Sequence, residues 1–442
     1  MLLSIPQTSH LFGGLLIEEE TKVVELDAGM IDSESSVFGM SPRLGDYDVL
    51  APYSQVTKQH EPGQARASVG IPPAVLETMF NQMAIIVPCK DESTETIEGV
   101  LSGIPHSCLV VLVSNSSRFP QDRYAREVEM LTDFCRFAGY GRSRPFVAIH
   151  QKDPEAAGAL AAAGMPEILD SDGLVRNGKG EGMILGVALV AALCPQRRFV
   201  GFVDADNQVP GAVNEYCKAY AAGFAMNACT SGTTNTMVRI VWGSKPKVKN
   251  GQIVYDRDGR SSRVANKWLN YLLADISGPN QGASANIVAT GNAGEHAMDM
   301  DLALKLRLAS GYAIEPFHFV DLLHQLSATT DTTNSATPFK PVKILQIRTR
   351  NPHFHRPSDE SHIQKMRRAA MGAIYHYLPL GTAAGGGLSL GDRIRACIGI
   401  PPAPLVYPPI ERLDMAVFRA RIMAEEKEGS FESFGVPEKV QE

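Results

Sequence analysis

The stretch FVGFVDADN, residues 199–207, decides the fold. Its first five residues, Phe199 to Val203, have the length and composition of a buried strand of the parallel type. Asp204 and Asp206 follow at once, so they fall at the carboxyl end of a sheet, where open α/β folds bind ligands. Two carboxylates in that place could hold a divalent cation against a diphosphate. Four other D-x-D pairs occur, Asp46/Asp48, Asp170/Asp172, Asp256/Asp258 and Asp299/Asp301, and none follows a strand-like apolar run. Position, rather than the motif, singles out the pair at 204 and 206.

Upstream, MAIIVP (83–88), the run 108–113 and PFVAI (145–149) read as further strands. Between them lie a helix with the face Ile97, Val100, Leu101 and Ile104 and a second helix over about 124–138. Strand and helix in alternation predict a mostly parallel sheet with right-handed crossovers. Downstream, Pro210 opens a helix whose face is Val213, Tyr216, Cys217, Tyr220 and Phe224. MVRIVW (237–242) and GQIVY (251–255) are expected to pair as a hairpin across a lysine-rich turn. Mixed or helical pieces follow at 268–275 and 298–308, and beyond Ser310 the chain reads as less regular. A Thr-rich loop (328–338), a helix at about 360–378, a hinge at Gly385–Gly387 and a terminal helix complete it. Three regions result: an N-terminal segment (1–80) with two β-like pieces and a polar excursion at 45–75, a core (81–330), and a mostly helical C-terminal region (331–442).

Composition narrows the function. With 442 residues, 44% hydrophobic and 20% charged, the chain is an ordinary globular protein, and its net charge of −6 speaks against nucleic acid or an anionic membrane as main partner. The longest apolar segment, 182–194, falls short of the roughly 20 residues of a membrane span. Seven scattered cysteines without C-x-x-C suit reduced thiols, and there is no signal-peptide core, so a cytoplasmic location is expected.

Four constellations bear on chemistry. GLVRNGKG (173–180) nearly spells a P-loop but has Gly180 where the magnesium-binding hydroxyl belongs. It leaves Lys179 and free N–H groups at a helix N-terminus, either an anion site or a plain surface loop. His353 and His355, in an extended segment after Pro352, face the same way and suit a metal such as Mn²⁺ or Zn²⁺, with His362 a possible third zinc ligand. Basic residues gather from Arg239 to Arg263, including Lys245, Lys247, Lys249, Arg257 and Arg260; such a run is either a solvated face or a grip on an anionic acceptor. Glu295 and His296, side by side, could position an acceptor hydroxyl. No nucleophile elbow occurs. Together these describe what transfer from a nucleoside-diphosphate sugar requires.

Longer strings are more specific. VPCKDE (87–92), EGVLSGIPH (98–106), SNSS (114–117), HQKDP (150–154), DGLVRNGKGEGMIL (172–185), VGFVDADN (200–207), YAAGF (220–224), NAGEHAM (292–298), LASGYAIEP (308–316), RNPHFH (350–355) and LVYPPIERLD (405–414) occur in order. They resemble the mannosyl-3-phosphoglycerate synthase family over about residues 83–414. The resemblance implies a GT-A glycosyltransferase fold: a Rossmann-like, mostly parallel sheet flanked by helices, with a C-terminal helical extension. It implies retaining transfer of mannose from GDP-mannose to 3-phosphoglycerate, in the synthesis of the compatible solute mannosylglycerate, with Mg²⁺ or Mn²⁺ as cofactor.

By position, the resemblance puts Pro88, Lys90, Glu92, Ser114, Asn115 and Ala205 on the nucleotide and Lys179 on the diphosphate or sugar side. Asp204 would contact the ribose or sugar, Asp206 the metal, and His353 or His355 would complete the metal site. Arg260, Arg263, Asn266, Glu295 and His296 would face the phosphoglycerate. Asp91 departs from the Asn expected beside the donor pocket, and the 45–75 and 227–236 segments are longer than the family core needs. No D-x-D-G-T phosphatase signature is present, so a separate phosphatase is expected to act on the product. The rival readings are a synthase using GDP-glucose, a non-catalytic nucleotide-sugar-binding protein and a nucleotidyltransferase. A homodimer is expected through the apolar face of the helix at 360–378.

Overall fold

A computed structural model of the chain describes residues 1–6, 8–26, 56–57, 68–137, 144–228, 234–249, 252–256, 259–277, 286–328, 339–355, 359–378 and 389–425. The Thr-rich loop after 328, the hinge at 385–387, most of the 45–75 segment and residues 229–233 of the 227–236 segment lie outside these residues. Seven strands form the centre of a 13-stranded sheet: β1 (Met83–Cys89), β2 (Leu109–Ser114), β3 (Phe146–His150), β4 (Phe199–Phe202), β5 (Asn235–Val241), β6 (His296–Asp299) and β7 (Val342–Arg348). Their spatial order is β3-β2-β1-β4-β6-β5-β7. Neighbours run parallel except at β6, which is antiparallel to both β4 and β5. This is the mostly parallel sheet that the alternating pattern predicts. Strands Leu15–Glu18 and Thr21–Glu25 extend it beyond β7, so the strands described in the first 80 residues belong to the same sheet, and a helix (Pro73–Phe80) leads from them into β1.

Both faces are covered, which is why the central strands are apolar without alternation. On one face lie α1 (Thr94–Gly103) and α3 (Pro210–Ala228). Their expected faces are buried: Ile97, Val100, Leu101 and Ile104, and Val213, Tyr216, Cys217, Tyr220 and Phe224. On the other face lies α2 (Lys179–Leu193), whose residues are buried almost all round, as for a helix packed between two layers. Its second layer comes from α5 (Ile314–Ala328) and from the C-terminal segments that reach Tyr407 and Phe418. α4 (Arg260–Ser277) and α6 (Glu360–His376) pack together and close the far wall. No helix among the described residues is long and apolar enough to cross a membrane.

Three expectations are corrected. MVRIVW does not form a hairpin with GQIVY: its first five residues lie in β5, buried between β6 and β7, with Trp242 just past the strand end, while Gln252–Asp256 pairs with Lys245–Lys249. An unbroken apolar run belongs inside the sheet, and the lysine-rich stretch, read as a turn, is itself the alternating partner strand. The region after Ser310 is not irregular but supplies α5 and the central strand β7. Finally, the apolar face of α6 (Ile363, Ala370, Met371, Ala373, Ile374) packs within the chain, so it is not a free face for a second copy.

Candidate active site

A cleft of about 1320 Å³ opens at the carboxyl ends of β1, β2 and β4. The register places it there. Phe202 pairs with Ile86, the Val203 N–H continues to the Ile86 carbonyl (3.1 Å), and the chain after both strands emerges at one end. The DADN turn is locked from beneath by Asn207, which is fully buried. Its Nδ2 donates to the Asp204 carbonyl (3.3 Å) and to Glu295 Oε1 (3.1 Å). Asp204 and Asp206 are left about a third exposed, facing the cleft.

Lys179 opens α2 beneath Asp204. Its Nζ lies 2.7 Å from Asp204 Oδ1 and 3.0 Å from Glu315 Oε1 at the start of α5. Burial alone would lower this lysine, but the two carboxylates hold its ammonium well above the usual range. Gly294 makes the arrangement possible: a Cβ there would stand 2.5 Å from Asp204 Oδ2 and 2.7 Å from Lys179 Nζ. Gly178 and Gly180 serve the same close packing, since a Cβ would run into the Glu181 carboxylate at the first and the Ala309 carbonyl at the second, whereas Gly173 is needed for its left-handed backbone (φ 77°). Glu181, buried one turn in, accepts from the Gly311 N–H (3.0 Å) and the Tyr407 hydroxyl (2.7 Å), which fastens the helix start to the C-terminal layer.

The histidine segment reaches the same place from 150 residues downstream. Asn207 and His355 form a β-bridge, Gln208 N donates to the Phe354 carbonyl (2.9 Å), and His353 N donates to the Ser244 carbonyl (2.8 Å). His355 Nδ1 then lies 3.8 Å from Asp206 Oδ2. The two imidazoles stand 5.2 Å apart, as alternate residues of an extended segment should. His353 is more deeply placed: 4% exposed, stacked on Trp242 at 4.6 Å, with Nδ1 at 3.1 Å from the Tyr216 hydroxyl. Burial, with Lys245 and His355 nearby, pushes it well below the usual range, so it is neutral.

Charge at this corner is one-sided. Burial and the carboxylates of Asp204, Glu295 and Glu92 push Asp206 up to about 7, with Lys179 opposing. A carboxylate crowded by three others and faced by an imidazole is short of positive charge, and a divalent cation between Asp206 and His355 fits that shortage. No trio of carboxylate, imidazole or thiol groups is assembled for a metal among the described residues. The cation's remaining ligands would therefore come from substrate oxygens and water. His362 reaches the same cleft from α6, where its ring meets Tyr312 at 5.1 Å, and it joins no group of three ligands among the described residues.

Pro88, Lys90, Glu92 and Asn115 line the wall formed by the ends of β1 and β2. Between them Asp91 takes a left-handed backbone conformation (φ 59°), which Asn and Asp tolerate better than other side chains. That accounts for an Asp where Asn is expected. Its carboxylate accepts from Ser117 N (2.9 Å) and Oγ (3.0 Å). These bonds, with Arg123 and Lys90 nearby, outweigh burial and hold it below the usual carboxylate range.

The opposite wall is basic. Lys245 lies 3.5 Å over the Trp242 ring, and desolvation lowers its ammonium to about 8 although Glu295, Asp206 and Asp204 pull the other way. Beside it α4 begins, with Arg260, Ser261, Ser262 and Arg263 all on the cleft. Ser262 is 5% exposed and its Oγ has no protein partner, as has Asn292 Oδ1 nearby. Arg260 is ion-paired with Glu360 on α6 (2.7 Å). A helix N-terminus with Arg263, an unsatisfied buried hydroxyl and that paired arginine at its edge has the donors of an anion receptor.

A family model for mannosyl-3-phosphoglycerate synthase matches residues 5–422. The enzyme of that name from Pyrococcus furiosus is 37% identical over 377 residues, covering 85% of this chain and 84% of the relative. Its counterpart from Aeropyrum pernix is 31% identical over 376 residues, 85% of each chain. The chain belongs to the mannosyl-3-phosphoglycerate synthase family. It is therefore a glycosyltransferase, and the resemblance seen in strings between 83 and 414 extends over nearly the whole sequence. Among solved structures, the glucosyl-3-phosphoglycerate synthase of Mycobacterium tuberculosis with Mn²⁺, UDP-glucose and glycerol 3-phosphate is similar at 18% identity and a TM-score of 0.46, covering 77% of this chain and 95% of that one.

Most of the residues expected at the site line this one cleft: Pro88, Lys90, Glu92, Asn115, Lys179, Asp204, Ala205, Asp206, Arg260, Arg263, His353 and His355. Four do not. Ser114 is fully buried and its Oγ accepts from Ser116 N. Asn266 ties α4 to the Ala289 carbonyl and Gly291 N–H. Glu295 is buried, accepting from Trp242 Nε1 (2.9 Å) and Asn207. His296 begins β6 and packs against Phe202 and His318, on the opposite side of the sheet from Glu295's partners. Successive residues of an extended chain face apart, so this Glu-His pair does not close on one hydroxyl. Glu315, Tyr216, Trp242 and Gly294 carry the geometry without having been singled out in the sequence. For Glu315 the only signal is its place in LASGYAIEP; helix periodicity shows Tyr216 as a core residue and nothing more.

Proposed function

We propose that the chain transfers the mannosyl group of GDP-mannose to the one free hydroxyl of 3-phosphoglycerate, with retention, giving mannosyl-3-phosphoglycerate and GDP. The observation that carries this reading is the meeting of Asp206 and His355 at the end of β4, across one cleft from the basic start of α4. The nucleotide lies against Pro88, Lys90, Glu92, Asn115 and Ala205. Asp204, held in place by Lys179, orients the ribose or sugar, and Lys179 offers its charge to the diphosphate. Asp206 and His355 would hold Mg²⁺ or Mn²⁺, which when bound neutralises the charge of the departing diphosphate. His353, fastened to Tyr216, stands behind His355 and keeps it in register.

On the acceptor side, the N–H groups of α4, Arg260, Ser262 and Arg263 grip the phosphate, and Lys245 lies within the same wall for the carboxylate. The acceptor oxygen approaches the anomeric carbon from the side of the leaving group. The bond from that carbon to the diphosphate breaks as the new glycosidic bond forms, and the hydroxyl proton passes to the departing diphosphate. The cleft walls supply fixed charge where charge develops, the largest lever available to such a reaction. GDP release, followed with a panel of sugar nucleotides and acceptors, tests the reading: GDP-mannose with 3-phosphoglycerate should give the highest kcat/KM. Release of pyrophosphate instead of GDP would contradict it.

A further inference from the structure

The helix that follows the D-x-D turn also grips the histidine segment. Glu215 in α3 is 1% exposed, and no sequence feature marks it. Its Oε1 accepts from the backbone N–H of Arg350 (2.6 Å), and its Oε2 accepts from the backbone N–H and the side-chain Nδ2 of Asn351 (2.8 Å each). The next residue, Tyr216, brings its hydroxyl to His353 Nδ1. Three N–H groups on one buried carboxylate make a strong, directional anchor. It lies two residues before His353 and four before His355. α3 starts at Pro210, four residues after Asp206, so one rigid helix carries the anchor for both halves of the cation site. Beyond this anchor, His353 to His355 are held by the Ser244 carbonyl, Gln208 N and the bridge to Asn207.

We propose that Glu215, together with Tyr216, is a positioning residue that sets affinity for the divalent cation by holding the His353–His355 segment against Asp206. The role rests on the assignment of Asp206 and His355 as cation ligands. Glu215 acts through the backbone of residues 350–351 and the side chain of Asn351, and it does not line the cleft itself. Outer-shell partners of this kind are worth ~10–100-fold in metal affinity.

The test is a titration of the metal-stripped full chain with Mn²⁺ alone, reading free Mn²⁺ by electron paramagnetic resonance. Glu215→Gln keeps the shape but replaces one acceptor oxygen with an NH2 donor that faces an N–H donor. Its Kd for Mn²⁺ should rise about tenfold or more, while kcat at saturating Mn²⁺ falls much less and the thermal transition is retained. Tyr216→Phe, which keeps the ring, should shift the same Kd by a few-fold. If Asp206→Ala loses Mn²⁺ while Glu215→Gln binds it as the wild type does, the positioning role is overturned. If Asp206→Ala itself binds Mn²⁺ normally, the cation assignment fails instead. Should Glu215→Gln not fold, an unchanged Mn²⁺ affinity in Tyr216→Phe overturns the clamp.

Discussion

Replacing Lys179 by Met removes the one ammonium that stands between Asp204 and Glu315, at 2.7 and 3.0 Å. The side chains of Lys179 and Glu315 are 13% and 4% exposed, so the pair is buried; Asp204, at 31%, keeps some contact with water. Breaking a buried pair by removing one partner costs ~3–5 kcal/mol. The partial exposure of Asp204 puts Lys179→Met at the lower end, about 3 kcal/mol. Most of that loss comes from Glu315, whose Oε2 already lacks a partner. Lys179→Met with Glu315→Gln should therefore recover at least half of the stability, because the stranded charge is gone. Activity should not recover: both variants lose the charge aimed at the diphosphate, a loss of ~10²-fold or more in kcat. Urea unfolding and GDP release, measured on the wild type, both single variants and the double, complete the cycle. A double variant less stable than Lys179→Met, or one that regains kcat, would refute the reasoning.

Gly294→Ala should place a methyl group into the Lys179–Asp204 contact and lower kcat at least tenfold, at a stability cost of ~1–3 kcal/mol; kinetics with a thermal melt check both. Ser262→Ala and Arg263→Ala should each raise KM for 3-phosphoglycerate ~10-fold or more, the value of one charge-assisted hydrogen bond, and leave KM for the sugar nucleotide near the wild-type value in steady-state assays. Burial and the neighbouring carboxylates push Asp206 up to about 7 in the folded, metal-free chain from an ordinary 3.8. The folded state thus keeps a proton that the unfolded state has lost, and the contribution of this group to stability falls as pH rises from about 4 to 7. The stability of the wild type relative to Asp206→Asn, followed by denaturant unfolding without metal, should decline over that window, and the gain from added Mn²⁺ should grow.

The strands that build the site are legible because both sheet faces are covered, which turns each into an unbroken apolar run. β1, β2, β3 and β4 are found within a residue or so of their ends. β7 escapes because Lys343, Gln346 and Arg348 interrupt it; in the structure Gln346 is buried and hydrogen-bonded to Glu18 and Ile287. β5 is seen as a strand but given the wrong partner, since pairing across 60 or 100 residues leaves no local trace. At the site, ligand-type residues are legible and their supports are not. Asp206 and His355 stand out by position and spacing. Glu215, Tyr216, Trp242 and Glu315 act through contacts over distances in sequence that no periodicity encodes. Glu295 and His296 mislead for the converse reason: adjacency in sequence is separation across a sheet.

The measurement that tests the central claim most directly is product analysis of the purified chain given GDP-mannose and 3-phosphoglycerate, with and without Mn²⁺ or Mg²⁺. GDP and mannosyl-3-phosphoglycerate should form in equal amounts with the anomeric configuration of the donor kept. Inorganic phosphate should not appear, and Asp206→Ala should abolish the reaction at every metal concentration. GDP release at an undiminished rate in Asp206→Ala, or a product of inverted configuration, would contradict the account.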